Sequence, residues 1–84
     1  YVSWLEFDPT NPDVLWATVS TFNNESGEGH VFRSEDGGAN WERRDAGIPD
    51  VPAHSVVVDP ARPEHVYVGT DLGIFVSTDA GATW

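Results

Sequence analysis

The chain contains no cysteine, no methionine and no lysine. Without cysteine there is neither a disulfide staple nor a thiolate metal site, so 84 residues must hold together through core and turns alone. Positive charge is equally scarce: four arginines stand against fourteen acidic residues, for a formal net charge of −10. Nucleic acid and anionic membrane are poor partners for such a surface, and neither is expected. No stretch keeps a 3.6-residue apolar period, so no long helix is predicted. Neither a secretory leader nor a membrane span is visible. Tyr1 stands inside a strand-like run and Trp84 just after a turn motif, so the chain reads as an excised piece or a processed product. A missing leader therefore says little about compartment.

What is present is a repeat. Ser34-Glu35-Asp36-Gly37-Gly38-Ala39-Asn40-Trp41 returns 43 residues later as Ser77-Thr78-Asp79-Ala80-Gly81-Ala82-Thr83-Trp84. Both follow Ser-x-Asp-x-Gly-x-x-Trp, and a recurrence of this length signals a repeat architecture. The match continues upstream at an offset of 51 residues: Phe7-Asp8-Pro9 answers Val58-Asp59-Pro60, and Leu15-Trp16-Ala17 answers Val66-Tyr67-Val68. The eight-residue difference falls in the polar stretch 20–30, where the second copy has little beyond Asp71-Leu72-Gly73. Repeats keep their strands and vary their loops, because loops accept insertions without disturbing the core.

Strands are predicted over Val2–Phe7, Val14–Val19, Val31–Ser34 and Trp41–Arg44, then Ser55–Val58, His65–Thr70 and Gly73–Ser77, with a fourth strand of the second copy opening at Trp84. Asp8 to Asp13 and Asp59 to Glu64 read as turns, since proline presets φ and Asp or Asn bonds nearby backbone. Gly47, Pro49 and Pro52 punctuate a connection between the copies. Many short strands with regular turn signals predict an all-β fold. Runs such as Val56-Val57-Val58 predict strands apolar on both faces, as in sheets stacked between other sheets. Trp4 and Trp16 are expected in the core.

The paired motif, each copy preceded by an Asp-Pro turn and a strand like Val66-Tyr67-Val68-Gly69-Thr70, resembles the Asp-box or BNR repeat of sialidases, xyloglucan-degrading glycosidases and sortilin-type domains. The resemblance implies a β-propeller of four-stranded antiparallel blades, with the box at the turn between strands three and four. One blade then occupies 1–45, a link 46–52, and a second blade lacking its outer strand 53–84. Two blades do not close a ring, so further blades of the same propeller, or self-association, are expected as partners. Ser34, Asp36, Gly38, Trp41, Ser77, Asp79, Gly81 and Trp84 carry the two boxes in a structural role. A carboxylate at the centre of a tight turn can accept its otherwise unpaired backbone N–H groups, and tryptophan anchors the turn.

In a four-stranded meander the boxes share an edge with the Asp-Pro turns, while the 20–30 loop, the link and the 70–73 turn lie opposite. That opposite edge is the ligand side by resemblance. Its candidates are Phe22, Asn23, Asn24, Glu25, Glu28, His30, Asp45, Asp50, His54 and Asp71, as carboxylates for acid–base work or, for Phe22, a ring to stack on a sugar. No catalytic residue carries over. Arg33, Arg43, Arg44 and Arg62 form no sialidase-like cluster, the three histidines lack metal-ligand spacing, and no cofactor is expected. Asn24-Glu25-Ser26 fits a glycosylation sequon. Three functions are open: a structural or ligand-binding segment of a secreted or cell-surface propeller, inactive in isolation; part of a polysaccharide-acting glycoside hydrolase; or a sortilin-like protein binder.

Overall fold

Two antiparallel meanders follow from the two copies of the repeat. The structure, a computed structural model, describes residues 2–20, 30–49 and 51–84. In the first sheet Val2–Asp8 (β1), Asn11–Val19 (β2), Val31–Ser34 (β3) and Glu42–Arg43 (β4) lie side by side in chain order. In the second, Ala53–Val58 (β5), Val66–Thr70 (β6) and Gly73–Ser77 (β7) do the same. No helix is present among the described residues.

Several boundaries differ from the sequence expectation, each for a local reason. β2 starts at Asn11 and not at Val14, because Asp8 pairs with Asn11 and leaves only Pro9 and Thr10 in the loop. The Asp8 carboxylate accepts both the backbone N–H and the hydroxyl of Thr10, each at 2.7 Å. Its counterpart Asp59 accepts Ala61 N–H at 2.9 Å, but here the turn runs to His65, and β6 begins at Val66. β5 starts two residues early, at Ala53. β4 holds two residues where four were expected.

Side chains alternate across strands, and directly paired residues share a face. On the second sheet Val56 pairs with Val68 and Val58 with Val66, and all four are buried. Burying each contributes roughly 1.5–3 kcal/mol. They meet Val14, Trp16 and Val31 from the first sheet in one core, with Ile48 and Trp84 packed against its margin. Ser3 ties the layers polar-fashion: its hydroxyl donates to Ala53 O at 2.7 Å and lies 2.8 Å from Thr18 Oγ1. Two expectations fail here. Val57 does not lie in a doubly buried strand; it is 53% exposed, because the far face of the second sheet is uncovered. Trp4 is not core either: it is 46% exposed, and its indole N–H bonds Glu6 at 3.0 Å.

Candidate functional site

The two aspartate turns share one hydrogen-bond plan, with Asn40 in the first where the second has Thr83. In the first, the Ser34 hydroxyl donates to Asp36 Oδ1 at 2.8 Å and accepts Gly38 N–H at 2.9 Å. Asp36 then accepts Asn40 twice, the backbone N–H on Oδ1 at 2.8 Å and the side-chain amide on Oδ2 at 2.7 Å. In the second, Ser77 donates to Asp79 at 2.6 Å and accepts Gly81 N–H at 2.8 Å, while Thr83 supplies a backbone N–H and a hydroxyl to the two carboxylate oxygens. Each turn is also sewn to the chain just after the neighbouring Asp-Pro pair: Gly37 N–H donates to Asp13 O, in β2, and Ala80 N–H to Glu64 O, in the turn before β6, both at 2.9 Å.

These bonds favour the ionised form. The Asn40 backbone N–H, then its side-chain amide and the Ser34 hydroxyl, hold the Asp36 carboxyl down from 3.8 to about 2. The hydroxyls of Ser77 and Thr83, followed by the Thr83 backbone N–H, hold Asp79 at about 2 as well. A carboxylate so low, with both oxygens bonded within its own loop, is far from the near-neutral value that general acid–base work requires.

The same bonds make a pH prediction. Both folded values lie below the unfolded value, so the two carboxylates contribute stability that is complete above about pH 4 and disappears as pH falls toward about 2. Urea unfolding at several pH values, comparing the chain with the Asp36→Asn/Asp79→Asn variant, should show a stability gap that closes in acid. A gap of constant size across that range would contradict it.

The second turn does more than close a hairpin. Trp84 packs edge-on against Trp16, with ring centroids 6.4 Å apart at 81°, and its indole N–H bonds Arg44 O at 2.6 Å. Trp84 N–H also bonds Ala46 O at 3.0 Å, and Arg44 Nη1 donates to Ala80 O at 3.1 Å. The end of the first blade and the start of the link, residues 44–48, therefore run beside the second turn instead of staying at the opposite edge. Trp41 is anchored differently: its indole N–H returns to Gly38 O at 3.0 Å, and the ring is 40% exposed.

At the opposite edge, Phe22, Asn23, Asn24, Glu25, Glu28 and Asp50 lie outside the described residues, as does the sequon Asn24-Glu25-Ser26. Of the remaining candidates, His30 is not an open-edge side chain. It is 1% exposed, with Nδ1 3.0 Å from Val19 O, and its backbone N–H donates to Asp45 Oδ2 at 2.9 Å. Asp45 is likewise buried, and its second oxygen takes Arg43 Nε at 2.7 Å. The strand reversal that starts β3 at Val31 draws both inward, which no local sequence signal announces. Among the described candidates only His54 and Asp71 stand open at this edge, joined to each other as an imidazole–carboxylate pair. The link closes against them through Asp71 N–H to Pro52 O at 3.3 Å.

Three of the four arginines are occupied locally: Arg33 lies 5.8 Å above the Trp16 ring and pairs with Glu35, Arg43 pairs with Asp45 at 2.7 Å, and Arg44 pairs with Glu42 at 3.2 Å. Among the described residues no three His, Cys, Asp or Glu side chains are placed to hold a metal ion. Cleaving a glycosidic bond takes two carboxyl groups across it. The described edge offers Asp71 alone, since Asp45 is buried and bonded through both oxygens.

Comparison with known proteins follows the fold closely. The chain is 32% identical over 94 aligned positions to a xyloglucanase of Paenibacillus sp, a match that spans 99% of this chain and 9% of that enzyme. It superposes on the crystal structure of an ancestral GH74 enzyme with a TM-score of 0.74 at 25% identity, over 99% of this chain and 12% of the other. No family model matches the chain. Both of these proteins are glycoside hydrolases, and the chain spans about a tenth of their length. Its all-β architecture is that of two neighbouring propeller blades, the second with three strands.

Proposed function

We propose that the chain forms two blades of a secreted Asp-box β-propeller glycoside hydrolase acting on a xyloglucan-type polysaccharide. The observation that carries this reading is the likeness, over 99% of the chain, to a xyloglucanase in sequence and to a GH74 enzyme in fold. The blades serve as scaffold and as part of the wall of a polysaccharide groove, at the edge that bears His54 and Asp71. The two aspartate turns fasten strands three and four of each blade and take no part in bond cleavage. The catalytic carboxyl groups come from other blades, because one open carboxylate paired to an imidazole does not make an acid and a base across a glycosidic bond. An incomplete constellation is not preorganised, so the chain alone has no turnover.

Titration calorimetry with xyloglucan oligosaccharides tests this. The chain should bind them weakly, in preference to mannan fragments, and His54→Ala/Asp71→Ala should weaken binding at least threefold. A reducing-end assay should detect no hydrolysis. Turnover by the 84 residues would overturn the non-catalytic assignment, and absence of binding at millimolar oligosaccharide would overturn the groove-wall reading.

A further inference from the structure

The first aspartate turn differs from the second at a position that changes its chemistry: Gly37 stands where the second turn has Ala80. Asp36-Gly37 is the single Asp-Gly step of the chain, and no Asn-Gly step occurs. The nitrogen that follows an aspartate can attack that aspartate's own side-chain carboxyl carbon. When it belongs to glycine no Cβ crowds the approach, and the backbone reaches the ring-closing geometry freely. Packing does not demand glycine here. A Cβ on Gly37 would meet nothing within 4 Å, and Ala80 holds the equivalent place at φ +56° where Gly37 has +71°.

In the folded turn both reacting groups are engaged. Gly37 N–H donates to Asp13 O at 2.9 Å, which fixes the peptide plane between Asp36 and Gly37 against β2. The carboxylate takes the Asn40 backbone N–H at 2.8 Å, the Asn40 amide at 2.7 Å and the Ser34 hydroxyl at 2.8 Å. Those bonds tie both oxygens to the far side of the loop, and they keep the group ionised, at about 2. An ionised carboxylate resists attack by a nitrogen, whereas the neutral acid can lose water. Opening the turn frees the nitrogen and the carboxyl together, because the same few bonds hold both.

We propose that Asp36-Gly37 is a latent isomerisation site, withheld while the first turn is folded and released when it opens. On release the Gly37 nitrogen attacks Asp36 Cγ. The N–C bond forms, the carboxyl hydroxyl leaves with the amide proton as water, and a succinimide ring results. Water then adds back at one of the two ring carbonyls. Addition at Cγ breaks the new bond and restores aspartate. Addition at the main-chain carbonyl of Asp36 breaks the original peptide bond, so the backbone runs through Cβ and Cγ as isoaspartate. Water lost equals water regained, and no other reactant is consumed. Isoaspartate lengthens the backbone by a methylene and leaves its carboxylate directly on Cα. That carboxylate cannot meet Ser34 and Asn40 as the Asp36 side chain does, so a converted chain does not rebuild the turn. This inference stands on the turn and not on the glycosidase reading; failure to bind polysaccharide would leave it intact.

The test holds the chain and its Gly37→Ala variant for weeks at one mildly acidic pH, each in buffer and in guanidinium chloride sufficient to unfold it. Peptide mapping with electron-transfer fragmentation, which tells isoaspartate from aspartate, reads the product at every aspartate. The unfolded parent should gain isoaspartate at position 36 at least about tenfold faster than the folded parent, the protection expected where reaction waits on local opening. It should gain it there before any other aspartate converts. Unfolded Gly37→Ala should convert several-fold more slowly at this position, a comparison that does not depend on how well the variant folds. Parent chain isolated with isoaspartate at position 36 and returned to buffer should unfold at a lower denaturant concentration than unconverted chain. Equal rates in the folded and unfolded parent, earlier conversion at a different aspartate, an alanine variant as fast as the parent, or a converted chain as stable as the unconverted one would overturn the inference.

Discussion

Trp16→Ala is expected to cost the chain about 3–5 kcal/mol, the range for truncating a buried large aromatic. Trp16 is the largest fully buried side chain, 1% exposed, and three things rest on it at once. Trp84 meets it edge-on, the Arg33 guanidinium lies over its ring, and Gly81 comes against its far edge. Removing the indole would open a cavity between the two sheets and release the second turn from the first sheet. A domain of this size has a total stability of only about 4–13 kcal/mol. The loss should therefore lower the midpoint of thermal unfolding by about 15–30 °C, measured by calorimetry. Trp16→Phe should cost far less. It keeps most of the apolar volume and removes an indole N–H that has no hydrogen-bond partner among the described residues. An alanine variant melting within a few degrees of the parent would mean that the sheets are not joined through this ring.

The second large effect is expected at Gly81. Its φ is +84°, and a Cβ built there would fall 2.6 Å from Cη2 and 2.9 Å from Cζ3 of Trp16. Gly81→Ala must then move a ring held on all sides, or shift the turn away from it. Overpacking of this kind costs about 1–3 kcal/mol, and the left-handed backbone adds about 1–2 kcal/mol for a residue with a side chain. The matching position of the first turn is the control. Gly38 has φ +98°, but its Cβ would meet only Trp41 at 3.7 Å. Gly38→Ala should therefore show the backbone cost alone, about 1–2 kcal/mol. Alanine is already tolerated in this region of φ at Ala80, at +56°, where its N–H bond to Glu64 O holds the turn. Denaturant unfolding of the two glycine variants side by side separates the terms: equal losses would show that contact with Trp16 contributes nothing.

These two predictions mark where sequence reading stopped. The Ser-x-Asp-x-Gly-x-x-Trp pattern places a polar turn at two positions, and the hydrogen bonds of Ser34, Asp36, Ser77 and Asp79 are all local, within four residues. Such bonds are legible because both partners sit in one short stretch. The different fates of Trp41 and Trp84 are not. The motif is the same, yet one indole lies half open over its own loop while the other is clamped to Trp16 and Arg44, forty or more residues away. The same holds at the opposite edge. His30 and Asp45 look like surface residues in a polar context, and a bond across fifteen residues draws both inside. Trp4 looks like a core residue and is half exposed, because its neighbour Ser3 takes the inward place at the irregular β1–β2 pairing.

By itself the order of residues determined that this protein is all-β, where its turns fall, and that one unit is written twice. Those properties come from alternation, backbone preference and side-chain bonds a few positions apart. Only the packed molecule decided which tryptophan joins the two sheets, which acids remain open to solvent, and which apolar faces are left bare. Each of those depends on what a distant strand brings alongside, and no spacing along the chain encodes that neighbour.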